Sequence, residues 1–143
     1  MPQIDFYILH TQGKLEKERF ACRLIDKAWH QGFRIFVQTD SLEQAKQIDD
    51  LLWTFKQDSF IPHALHTEAQ QMPAPIYIGY NDQFSEDAQV LVNLTETVPA
   101  FFEQFQRVAE CVGNTPAARE VGRTRYRFYK DTDNELKSHD IYR

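Results

Sequence analysis

Apolar residues recur along this chain in two periods. Ile4–Leu9 (IDFYIL) and Phe33–Gln38 (FRIFVQ) are short, almost continuous apolar runs with β-branched and aromatic residues, the look of strands covered on both faces. Between them Leu15, Phe20, Cys22, Leu24, Ile25, Ala28 and Trp29 recur with charges in between. That spacing predicts a long amphipathic helix from Leu15 to His30, stopped by Gly32 near its C-cap. Thr39, Asp40 and Ser41 precede a second helix, with Ser41 and Gln44 spaced as a capping box. Its core face is Leu42, Ala45, Ile48, Leu51, Leu52 and Phe55. Ile76–Tyr80 and Val90–Leu94 read as two more strands, separated by a polar loop. Phe101, Phe102 and Phe105 suggest a helix over Val98–Val112. Thr115 and Pro116 open a last helix that runs to Lys130. Lys56–Pro75 has no clean period, and residues 131–143 are polar and expected to be loosely held.

Strand–helix–strand–helix in this rhythm predicts a parallel sheet with right-handed crossovers. The expected fold is a single α/β domain over residues 1–130, followed by the polar tail. It has an open, mostly parallel sheet of four to five strands with helices on both faces, Rossmann-like in topology but without a nucleotide site. The turn after the first strand, HTQGKLEK, holds one glycine and neither of the glycine-rich patterns that cradle phosphates. At 143 residues and 42% hydrophobic content the chain can bury a core of its own. Cys22 and Cys111 each lie in an apolar pattern and read as buried thiols in a reducing compartment. The opening residues lack a signal peptide's basic start, and no apolar run is long enough to cross a bilayer, so the expected location is the cytoplasm, away from membranes.

Charge changes the picture at one place. The chain carries 16 Lys+Arg against 21 Asp+Glu, yet Pro116–Lys130 holds five cations (Arg119, Arg123, Arg125, Arg127, Lys130) and one acid, Glu120. On a helix Arg119, Arg123, Arg127 and Lys130 share one face, with Tyr126 beside them. Such a stripe is either a solvated face or a cleft for something acidic and partly apolar. Read as a nucleic-acid surface instead, the same helix offers Tyr126, Phe128 and Tyr129 as stacking groups, against the repulsion of an acidic remainder. Catalytic apparatus is not legible: there is no nucleophile elbow and no triad spacing. His63, His66 and Glu68 are close in sequence but lack further ligands in pattern, so neither a metal nor a cofactor is expected. Trp53, Phe60, Ile61 and Pro62 cluster after the second helix and suit a partner-facing apolar patch.

The opening DFYIL, the ACRLIDKAWHQGFRIFVQTD segment, LLWTF…DSFIPHAL, VLVNLTETVPAFFEQF and RTRYRFYK resemble, in order and spacing, the chi subunit of bacterial DNA polymerase III holoenzyme. The resemblance runs from residue 3 to about 130. It implies a non-catalytic accessory subunit of the clamp-loader complex, an adaptor in DNA replication. The implied partners are the psi subunit and the acidic C-terminal tail of single-stranded DNA-binding protein, with a repair helicase as a further occupant of the psi surface and DNA contacted only indirectly. By the same resemblance the tail-binding positions fall on Arg119, Arg123, Tyr126 and Arg127, and the psi-facing block on Trp53, Phe60, Ile61 and Pro62.

Overall fold

The computed structural model describes residues 2–13, 15–54, 62–65, 75–80 and 87–142. In chain order these form β1 (Gln3–Leu9), α1 (Glu16–His30), β2 (Ile35–Gln38), α2 (Leu42–Thr54), β3 (His63–Leu65), β4 (Ile76–Gly79) and β5 (Val90–Asn93). A 3-10 turn (Phe102–Gln104), β6 (Arg107–Val112), α3 (Pro116–Asp131) and β7 (Glu135–Ile141) follow. The strands make one seven-stranded sheet in the order β3-β4-β2-β5-β6-β1-β7, and every pairing is parallel.

Both faces of the sheet are covered, as a parallel sheet requires. Ile35, Val37, Val90, Val92, Ala109 and Cys111 point to one face, where Phe20, Cys22 and Ile25 of α1 and Ala45, Ile48 and Leu52 of α2 bury them. The alternate residues Ile4, Phe6, Phe36, Leu91, Val108 and Val112 point to the other, under Phe102, Phe105 and Tyr129. The helix ends follow the local rules. Gln44 N–H donates to Ser41 Oγ at 3.1 Å while Gln44 Oε1 accepts from Asp40 N–H at 2.9 Å, so the reciprocal cap reaches one residue further back than the usual box. At the end of α1, Gly32 takes φ 92°. Its N–H bonds Trp29 O at 2.9 Å and Phe33 N–H bonds Ala28 O at 3.1 Å, the two closing bonds of a Schellman turn.

The architecture matches the expected α/β class, with three corrections. Seven strands replace four or five. The helix expected over Val98–Val112 is a single 3-10 turn followed by β6, inserted between β5 and β1. The segment 131–143, expected to be a loose tail, contains β7, which pairs with β1 over seven residues from Gln3↔Glu135 to Leu9↔Ile141. A smaller difference is Leu42, assigned to the core face of α2 but 40% exposed at its first turn.

Candidate docking sites

The basic helix starts where its sequence says it should. Thr115 is extended (φ −136°, ψ 155°) and its Oγ1 accepts from Ala118 N–H at 3.1 Å, with Pro116 next in line. Along the helix the buried residues are Gly122, Arg125 and Tyr129. A Cβ built on Gly122 would lie 2.9 and 3.0 Å from the Val112 methyls, so the missing side chain is what lets α3 approach β6.

Arg119, Arg123, Tyr126 and Gly122 edge a cleft of about 270 Å³ whose floor is Phe6, Ile8 and Val112. Arg119 and Arg123 also border a more open depression at the helix start with Asn114, Thr115, Pro116 and Glu120. The two arginines therefore stand between an apolar cleft and a polar one. Arg119 is held by backbone: its Nη2 donates to Leu9 O at 2.6 Å and to Asn114 Oδ1 at 3.1 Å, and its Nε to Gly113 O at 3.3 Å. Arg123 reaches outward and, among the described residues, makes an exposed i,i+3 contact with Glu120 at 3.2 Å. Such a contact contributes little against solvent and is readily exchanged. Tyr126 is half-buried, its ring edge-on to Phe6 at 5.2 Å. Arg127 and Lys130 are exposed and lie outside the cleft. Chemically the cleft can hold a ring or short apolar side chain while guanidinium donors meet a carboxylate.

Arg125, counted among the five cations but left off the stripe, and Tyr129, offered as a stacking group in the nucleic-acid reading, turn inward. Glu110 of β6 is fully buried. Its Oε1 accepts from Arg125 Nε at 2.9 Å; its Oε2 accepts from Tyr129 O–H at 2.6 Å and Asn93 Nδ2 at 2.8 Å. Asn93 Nδ2 also bonds Thr97 O at 2.9 Å, and Asn93 Oδ1 accepts from Thr95 N–H at 3.1 Å. Burial pushes the Glu110 carboxyl above its usual range, with Arg125, Tyr129 and Asn93 pulling it back. Burial, then Glu110, holds the Tyr129 phenol well above its ordinary value. With Tyr129 buried, the stacking reading of this helix loses one of its three aromatics, leaving Tyr126 and the half-exposed Phe128. The one sequence signal for the network was Glu110 itself, a lone acid inside RVAECV.

The second predicted patch lies at the far edge of the sheet. Trp53, at the end of α2, is 49% exposed, and its ring sits 4.7 Å from that of His63, which is 3.1 Å from the Asp49 carboxylate. Pro62, the residue before β3, is half-buried. Phe60 and Ile61 lie outside the described residues, as do His66 and Glu68. A cleft of about 770 Å³ opens where the chain leaves β2 and β5 in opposite directions along the sheet, the usual ligand position of an open parallel sheet. Its lining includes Thr39, Asp40, Tyr80, Thr95, Thr97 and Gln104 and, among the described residues, no Lys or Arg to meet a phosphate.

Known proteins place this geometry in context. Among solved structures, T4 UvsW superposes with a TM-score of 0.66 at 10% identity, covering 99% of this chain and 41% of that one, a likeness of fold alone. Curated sequences are far more similar. DNA polymerase III subunit chi of Pseudomonas aeruginosa is 34% identical over 143 residues, covering 100% of this chain and 99% of the relative. Those of Haemophilus influenzae and Escherichia coli are 32% and 26% identical over 124 and 135 residues, covering 86% and 91% of this chain and 86% and 92% of the relatives. The profile of the DNA polymerase III chi subunit (HolC) matches residues 1–137, and the chain belongs to that family.

Proposed function

We propose that this chi-family protein is a non-catalytic adaptor of the cytoplasmic replication machinery. It holds the acidic C-terminal tail of single-stranded DNA-binding protein on α3 and the psi subunit at the exit of α2, linking the clamp-loader complex to coated template. The observation that carries the first half is the cleft over Phe6, Ile8 and Val112 edged by Arg119, Arg123 and Tyr126. A tail that is acidic and ends in an aromatic residue with a free carboxylate fits that shape. The ring enters the cleft beside Tyr126, Arg123 takes the carboxylate, and the backbone-held Arg119 supplies fixed positive charge at the polar side. Arg127 continues the stripe for upstream acids. The second half rests on the exposed Trp53 beside His63, an aromatic anchor of the type enriched at interface centres.

Fluorescence anisotropy at two salt concentrations tests the reading, with the labelled tail peptide and bare single-stranded DNA as ligands. The expected result is salt-sensitive peptide binding that disappears when the terminal aromatic residue is deleted, with negligible DNA binding. Strong DNA binding without peptide binding would replace the adaptor reading by direct single-strand binding.

A further inference from the structure

We infer that Glu110 is a positioning residue for docking on α3. Through Arg125 and Tyr129 it fixes the rotation of the helix beyond its first turn, which Arg119 ties to Leu9 and Gly113, and so points Arg123 and Tyr126 at the cleft. The inference rests on the proposed docking role of α3 and adds what sets its geometry.

The seat of α3 is narrow. Its three buried residues meet two neighbouring inward positions of β6: Gly122 lies on Val112, while Arg125 and Tyr129 both bond Glu110. Apolar contact is non-directional and would let a helix roll on the sheet. Here two of the three seated residues are instead held by charge-assisted hydrogen bonds of 2.9 and 2.6 Å, which are directional. At about 100° per residue, Arg125 falls on one side of Gly122 and Arg119, Arg123 and Tyr126 on the other. A roll that freed Arg125 would therefore carry the cleft residues toward the sheet. The far side of the carboxylate is fixed as well, because Asn93 bonds Glu110 at 2.8 Å and is itself tied to the turn after β5. Desolvating the Glu110–Arg125 pair offsets most of what pairing returns, so its net contribution to stability is small. What the pair supplies is direction.

This reading separates binding from stability, which a purely structural role would not. In the apolar replacement Glu110→Leu/Arg125→Met/Tyr129→Phe, the melting temperature is expected to equal or exceed that of the parent. Affinity for the tail peptide is expected to fall roughly tenfold, as for a site left about 1 Å loose. A folded triple variant that binds the peptide within about twofold of the parent overturns the inference. If the triple variant does not fold, Tyr129→Phe removes one bond with almost no change of volume; it should lower the melting temperature, because the buried carboxylate loses a donor, and weaken peptide binding at temperatures where the variant is fully folded, and unchanged binding there again counts against the idea. Should the parent itself fail to bind the peptide, the adaptor reading falls, and the positioning claim is read from distance alone. Nitroxides at the exposed Thr124 and Lys46 should give a narrow distance distribution in the parent and a broadened or shifted one in the triple variant or, where that does not fold, in Tyr129→Phe. An unchanged narrow distribution in the folded variant defeats it.

Discussion

Arg123 and Arg125 are two positions apart on one helix and have opposite fates. The Arg123 side chain is 64% exposed with a weak partner; that of Arg125 is 6% exposed and bonded to a buried carboxylate. Composition counts them alike, because the stripe that separates them depends on which face of α3 meets the sheet. Replacing Arg123 by Ala should weaken tail-peptide binding by at least ~2 kcal/mol, the scale of losing a charge-assisted bidentate contact, and unchanged affinity in isothermal titration would remove it from that role. The cysteines were legible from their apolar surroundings. Burial, with Glu18 near Cys22 and Glu110 near Cys111 adding to it, pushes both thiols up to about 12. A raised thiol pKa leaves roughly one thiolate in 10⁵ at pH 7, so neither should react with a thiol reagent in the native protein, while both should after denaturation. Rapid native labelling of either would contradict the packing described for α1 and β6.

At the scale of elements, the helices were read correctly where a cap accompanied the period, as at Ser41–Gln44, Gly32 and Thr115. The sequence misled where two periods coincide. Phe101, Phe102 and Phe105 mimic a helical stripe, and RVAECV, buried on both faces between β5 and β1, shows no alternation to mark it as a strand. β7 was missed for the opposite reason: an edge strand keeps polar residues, and ELKSHDI buries only parts of Leu136, His139 and Ile141. Gly122 is the element-scale test of how α3 sits. Alanine would gain about 1 kcal/mol of helix propensity but overpack Val112, a cost of roughly 1–3 kcal/mol, so Gly122→Ala should be net destabilising in urea denaturation. Val112→Ala makes room, and the pair should be less destabilised than the sum of the singles. Additive effects would mean that α3 does not rest on Val112.

Across the whole molecule the two candidate surfaces occupy opposite halves of the sheet. α3 lies over the β6-β1-β7 side, while Trp53 and His63 stand at the β3 edge. Independence follows: Trp53→Ala should reduce co-purification of psi and leave tail-peptide affinity unchanged, and Arg123→Ala should do the reverse. Loss of both activities in either variant would argue for a shared surface. The order of strands also makes β7 part of the fold. Ending the chain at residue 131 strips β1 of its seven-residue pairing and leaves a long edge open to association, so the truncated protein should aggregate or lose its cooperative thermal transition. A monomeric, cooperatively melting product would show that β7 is dispensable.

The sequence by itself determined the α/β class, the two-sided burial of the strands, the caps of the helices and the family, because each is written in local period, local turn chemistry or the order of segments. It also placed a cationic helix on an acidic protein. Only the tertiary structure decided which cations face solvent, that Glu110 anchors the helix from beneath, and that the C-terminal residues close one side of the sheet. Those outcomes depend on strand order and helix rotation, which are set by contacts between residues far apart in sequence: Arg119 with Leu9, Arg125 with Glu110, Glu135–Ile141 with Gln3–Leu9.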